Sequence, residues 1–505
     1  MKKLRLFARV PAALAAAMLA GALAIPAHAV DFQWNVAGPA DWNVGANWNP
    51  EGPPSGGGGN HAFINNGGVA EISGDIGDIQ DIFVGAGVDT SGTLNQTGGN
   101  TFQGTGSWSF VGQDGGTGTY NLSGGSANKE RLYIGRGNGG VGVLNLFGEG
   151  NVSGTELVIG DGNGSHGTAT IYGNGNVTNN LFIVGAGGTG EANITDNGRV
   201  TANSEVWIAN AGGTATMSMD SGSVEANEWI AIGRDSGTGT VNLSGTARLA
   251  KLPGVNQGFI TLGGLGTGGG GTLNISENAV VESSTGMVLA ETSGRYGIVN
   301  QSGGTVTLHD YDNLDFGKAL EVDHAGEGLG EYHLSGGLLD AETIDATTGL
   351  FAMTGGVLHA DAFEGNLVQG GGSLSPGHSP GTMLITGNYS LSSGDLFMEL
   401  DGLTAGTEYD QLIVTGDVSL AGDLTLDVGF APSLGDSFTI IDNQGANAIG
   451  GIFTQGSAIS AGGYDFAINY MGGDGNDVVL TVVPEPTSLL LVGLSILGLF
   501  AIRRR

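Results

Sequence analysis

A chain of 505 residues with 99 glycines and only 13% charged residues is long enough to bury a large core, yet it is composed unlike an ordinary globular enzyme domain. Its formal net charge of −33 argues against nucleic acid as a partner and points to divalent cations or a charged matrix. Cysteine is absent, which excludes disulfides and thiolate metal sites.

In chain order, Lys2, Lys3, Arg5 and Arg9 precede an Ala/Leu-rich run that ends in Ala27-His28-Ala29. This is the pattern of a secretory signal peptide over residues 1–29, with the mature chain starting at Val30. Without that segment and the C-terminal tail, 9 basic residues face 48 acidic ones, a charge of −39. Residues 30–59 hold Trp34, Trp42 and Trp48, three of the six tryptophans. They suit either a sugar-stacking platform or an aromatic cap, and the cap is the expectation, because every open-ended repeat needs one. Residues 55–59 look like a flexible joint.

From residue 60 to residue 370 the chain repeats. The unit is typified by residues 109–125, SFVGQDGGTGTYNLSGG, in which a small residue closes a short apolar run. That landmark returns at Gly85, Gly112, Gly135, Gly160, Gly185, Ala209, Gly233, Gly263, Ala290 and Gly317, at intervals of 23 to 30 residues. Runs this short are strands, and a period of about 25 residues is that of a solenoid whose units bury their apolar faces only against one another. The expected fold is all-β, a right-handed parallel β-helix with coils stacked about 4.8 Å apart.

Alternation within each unit assigns the faces. Leu94, Tyr120, Leu144, Val241, Leu273 and Val299 form one inward column, and Leu122, Leu146, Ile171, Ile194, Met219, Leu243, Ile275 and Leu334 form the next. Between them an outward polar column reads Asn95, Asn121, Asn145, Thr170, Asn193, Ser218, Asn242, Asn274, Asn300 and His333. Asn95, Asn121, Asn193, Asn242, Asn274 and Asn300 each head an Asn-x-Ser/Thr triplet. They are glycan acceptors, or part of a flat face for polysaccharide, or a ladder of amides bonded along the solenoid. The ladder is favoured, since duplicating one polar strand creates the triplets automatically.

Acids crowd residues 309–345: Asp310, Asp312, Asp315, Glu321, Asp323, Asp340, Glu342 and Asp345, with His309, His324 and Lys318 nearby. Paired carboxylates on solenoids such as pectate lyases and polygalacturonases hold calcium or act as acid and base, but no spacing here marks such a pair. No catalytic residue is assigned.

At residues 374–385, LSPGHSPGTMLI resembles the punctuation near the end of the passenger β-helix in autotransporter-like surface proteins. It sets an expected boundary at residue 370, followed over residues 371–483 by a β region of different period. Too little chain follows for a membrane barrel. GGDGNDVVL, residues 472–480, is similar to the calcium nonapeptide of RTX proteins, with Asp474 and Asp477 as the weak ligand candidates. A single copy gives an incomplete cage, so a Gly-Asp turn is preferred and no cofactor is expected beyond such calcium.

The tail, residues 484–505, carries Pro484-Glu485-Pro486, an uncharged stretch over 487–502, then Arg503, Arg504 and Arg505. The stretch is long enough for a slightly short transmembrane helix with its basic end cytoplasmic. These residues resemble the PEP-CTERM sorting signal. The resemblance implies a Gram-negative source, passage through the inner membrane, recognition by an exosortase and export to the cell surface. The expectation is therefore an exported structural or adhesive protein of the surface or extracellular matrix, partnered by the secretion machinery, an exosortase and polysaccharide. A carbohydrate-active lyase or hydrolase is the alternative.

Overall fold

A computed structural model describes residues 29–55, 59–102, 106–253, 258–310, 317–378 and 380–484. Nearly every strand pairs in parallel with the equivalent strand one coil on, and together they form a β-solenoid of about 15 turns. Each regular coil has three strands and therefore three outer faces.

The landmark residues make the corner. Gly85, Gly112, Gly135, Gly160, Gly185, Gly233, Gly263 and Gly317 all have positive φ, as do Ala209 and Ala290. At Gly112 (φ +72°) a Cβ would also collide with the Val141 carbonyl of the next coil, so the corner requires glycine on two counts.

The interior columns are those the alternation predicts. Leu94, Tyr120 and Leu144 are successive register partners, as are Leu122, Leu146 and Ile171, and all are buried. Each fully buried aliphatic side chain contributes about 1.5–3 kcal/mol of transfer free energy. Glutamine interrupts the second column. Gln96 and Gln301 are buried in register with Leu122 and Leu334. Gln96 accepts from Tyr120 Oη (2.5 Å), Gln301 from Tyr332 Oη (2.6 Å), and Gln369 repeats the pair with Tyr389 (2.8 Å). Each glutamine amide also donates to the carbonyl three residues on, which fixes the following Gly-Gly corner.

Both ends are closed. Trp34, Trp42 and Trp48 are buried in a cluster of edge-to-face contacts at 4.9 and 4.7 Å, and Trp48 Nε1 donates to the Trp42 carbonyl. Rings this deep offer no face to a sugar, so the three tryptophans are a cap. The cap is continuous with the stack, because Asp31–Trp34 runs parallel to His61–Ile64 and Pro39–Asp41 to Asn66–Ile72.

The boundary expected at residue 370 does not interrupt the solenoid. Val357–Ala360 pairs in parallel with Ser373–Pro376, and parallel pairing continues to Gly450–Gly451. Pro376 is the last residue of its strand and lies past the Ser373 and Leu374 pairs made with the following coil. The period does change: the successive partners Leu334, Met353, Gln369, Leu391 and Leu420 lie 19, 16, 22 and 29 residues apart. At the C-terminal end the pairing turns antiparallel, as it does between Asp31–Trp34 and Trp48–Asn49 in the N-terminal cap. Ser437–Asn443 and Tyr464–Gly472 both flank Asp477–Val483, and Phe438, Phe453 and Phe466 plug the interior.

Candidate functional site

The Asn column is a bonded ladder. Asn121 Nδ2 donates to Asn95 Oδ1 (2.9 Å) and Asn145 Nδ2 to Asn121 Oδ1 (2.8 Å). Asn274 donates to Asn242 (2.8 Å) and Asn300 to Asn274 (2.9 Å). Asn193 differs, since its register neighbours are Thr170 and Ser218. Where the ladder meets the N-terminal cap, a groove of about 390 Å³ opens, lined by Asp41, Glu71, Asn95, Asn121, Ser123 and Phe147. Phe147 stacks on Tyr172 (5.0 Å, 7°).

A second face carries ion pairs between coils. Arg199 bonds Glu225 (2.5 Å), Arg248 bonds Glu225 from the other side, and Arg248 reaches on to Glu282 (2.6 Å). Two of the few basic side chains of the body are thus used in cross-coil bonds.

The third face was not legible as a site from the repeat alone. Its outward column reads Phe63, Phe83, Phe110, Tyr133, Val158, Ile183, Trp207, Ala231, Thr261, Val288, Glu321, Asp345 and Glu364, one residue per coil. The first four rings stack at 4.5, 5.0 and 5.5 Å, and the Arg136 guanidinium lies over Tyr133, Phe110 and Trp108. Phe110, Tyr133, Val158 and Ile183 form an outer hydrophobic cluster separate from the interior. The column thus changes class along the rod, with four rings at its start, two small residues after Trp207, and acids at its end after Val288. At the small residues Ala231 and Thr261 it leaves a notch of about 240 Å³, walled by Glu205, Trp229, Arg234, Leu265 and Glu291. The signal was the second residue of each apolar run, which falls from Trp207 to Ala231 and Thr261.

The acids of residues 309–345 are engaged locally. Asp323 accepts from Gly328 N, Asp345 from Thr347 N and Oγ1, and Glu342 from His309 and Asp310 N. Glu321 pairs with His324 (2.7 Å) and lies in register with Asp345; burial pushes its carboxyl above the usual range, against the pull of His324. Asp340 meets His378 (3.4 Å), which also bonds Asp361 (3.1 Å). Lys318 pairs with Glu364. Asp312 and Asp315 lie outside the described residues. Among the described residues, no group of three or more His, Asp or Glu side chains is placed to hold a metal.

Asp474 and Asp477 occupy the turn between Tyr464–Gly472 and Asp477–Val483. Asp477 Oδ1 accepts from Asn443 N (3.0 Å), which ties the turn to the solenoid, and burial raises its pKa. Asp474 is exposed.

Residues 482–505 match the PEP-CTERM protein-sorting motif. The motif implies an exported protein whose C-terminal signal is recognised by an exosortase. Of the sorting residues, Pro484 is exposed at the end of the last strand, while Glu485, Pro486, Arg503, Arg504 and Arg505 lie outside the described residues, as do Ala27 and the hydrophobic stretch 487–502. Among the described residues no helix is long and apolar enough to cross a membrane. No curated protein matches the chain.

Proposed function

We propose that the chain is a non-catalytic rod, delivered by an exosortase system to the cell surface or extracellular matrix, where it binds polysaccharide and helps to hold the matrix together. The Asn ladder carries this reading. An amide has two N–H donors and an oxygen with two lone pairs, and the ladder uses one donor and one acceptor per rung. Each rung therefore keeps a donor and an acceptor for solvent-side hydroxyls, at the spacing of about 4.8 Å set by the stacked strands. The groove beside Asn95 and Asn121 gives such a chain a place to lie.

The local engagement of Asp323, Glu342 and Asp345 favours a scaffold over an enzyme, because a catalytic pair needs convergent carboxylates free to meet substrate. The acidic surface gathers divalent cations loosely, without a dedicated cage.

The test uses residues 30–483, which include both caps, against neutral and acidic polysaccharides with and without calcium. Retention without new reducing or unsaturated ends is the expected result. Cleavage that disappears on mutating Asp310, Asp340 or Glu342 would replace the scaffold with an enzyme.

A further inference from the structure

We infer that the notch at Ala231 and Thr261 is a subsite for one neutral hexopyranose unit of a polysaccharide, a claim that rests on the polysaccharide-binding reading and adds where and what it binds. Its volume of about 240 Å³ falls below the range of drug-sized ligand pockets and suits a single ring.

Its walls combine groups that no apolar ligand would satisfy. Glu205 accepts from Trp207 Nε1 (2.5 Å), and Glu291 accepts from Thr261 Oγ1 (2.8 Å). Each carboxylate is thereby oriented through one oxygen and keeps the other for a ligand. Arg234 lies over the Trp207 ring (4.3 Å), which fixes the guanidinium while leaving most of its five N–H donors available. Carboxylates only accept and guanidinium only donates, so a ligand facing both needs adjacent groups that do each. Sugar hydroxyls do. Trp229, packed against Phe259 (4.2 Å), adds the aromatic wall on which the C–H face of a pyranose packs.

The notch is built before any ligand arrives. Arg295, 2% exposed, runs beneath it and donates to the carbonyls of Leu265 and Gly233, pinning the loop that forms one side. Gly264 has no side chain where a Cβ would strike the Glu291 carboxylate, so that carboxylate can lie across the loop. A preformed site loses little ordering entropy on binding.

Charge selects against the alternatives. An anionic sugar would meet Glu205 and Glu291 within a body of charge −39. The Arg234 donors call for an acceptor and not for a further cation, and the hydroxyls of an uncharged ring answer the carboxylates and the guanidinium together.

The experiment is titration of residues 30–483 with cellohexaose, mannohexaose, oligogalacturonate and chitosan hexamer, read by calorimetry and by tryptophan fluorescence. Fluorescence reports binding, and the notch variants localise it, because the groove beside Asn95 and Asn121 adjoins the tryptophans of the cap. A neutral hexamer should bind with a fluorescence change, and Arg234→Gln and Glu291→Gln should each weaken it about tenfold or more, as expected on losing a hydrogen bond to a charged group. Ala231→Leu, which fills the notch from the outer surface, should abolish binding, with an unchanged melting curve as the control for folding. Binding of a neutral hexamer that these three variants leave intact would overturn the notch and spare the polysaccharide reading. Tighter binding of oligogalacturonate or of the chitosan hexamer overturns the neutral assignment, and retention of no glycan by the unmutated protein overturns both claims.

Discussion

The Asn face and the aromatic face are two outer columns of one solenoid, each contributing one residue per coil, and they use that repetition in opposite ways. On the Asn face the same residue recurs in two runs of three, Asn95-Asn121-Asn145 and Asn242-Asn274-Asn300, and within each run the side chains bond to their own kind. On the aromatic face the residue changes class along the rod, from Phe63 through Val158 to Ala231 and Glu321. A constant column makes an extended uniform surface; a graded one makes a particular place. The notch exists only because two small residues follow Trp207 in a column that is otherwise large or charged.

The contrast predicts unequal costs of truncation. Phe110 is buried and stacked between Phe83 and Tyr133, so Phe110→Ala should leave a void and cost about 3–5 kcal/mol. Because coils touch only their neighbours, the loss should appear as an early, separate unfolding transition, with faster amide exchange in Trp108–Gln113. A single unshifted transition would mean that the outer cluster contributes nothing beyond the interior. Asn121→Ala removes one bond given and one received, and should cost about 1–2 kcal/mol. Asn193→Ala, flanked by Thr170 and Ser218, is the matched control and should cost a few tenths of a kcal/mol. Equal effects at the two positions would show that burial, and not amide pairing, holds the face.

What the sequence made legible follows from the same contrast. Features that recur every coil were readable: the corner residues with positive φ, the inward columns and the Asn ladder all come from one alignment of the repeat on itself. Features that depend on a departure from the repeat were not. Gln96 and Gln301 break an apolar column, and only the cross-coil Tyr120 and Tyr332 hydroxyls reveal why a polar group is tolerated there. The boundary expected at residue 370 mistook a change of coil length for an end of stacking, although short coils still present three strands to their neighbours. The acids near residue 320 looked like a cluster because they are close in sequence. In space Glu321 and Asp345 are neighbours in one outward column, whereas Asp323 and Glu342 are bonded in turns elsewhere on the coil.

A small effect separates the cations of two faces. Arg248 joins Glu225 and Glu282 on a face reached by solvent, and Arg248→Gln should cost about 1 kcal/mol or less. Arg136 also has a carboxylate partner, Asp161 at 2.9 Å, but its guanidinium lies over three aromatic rings as well. Salt shortens the reach of charge to about 8 Å at physiological strength and to about 3 Å at 1 M, and it weakens exposed pairs far more than contact between a cation and a desolvated ring. Melting of both variants at low salt and in 1 M sodium chloride should therefore diverge. The Arg248→Gln deficit should shrink toward zero, whereas most of the Arg136→Gln deficit should persist. If the two fade together, Arg136 is held by Asp161 alone, and the aromatic face is a stack of rings with no part for the cation above it.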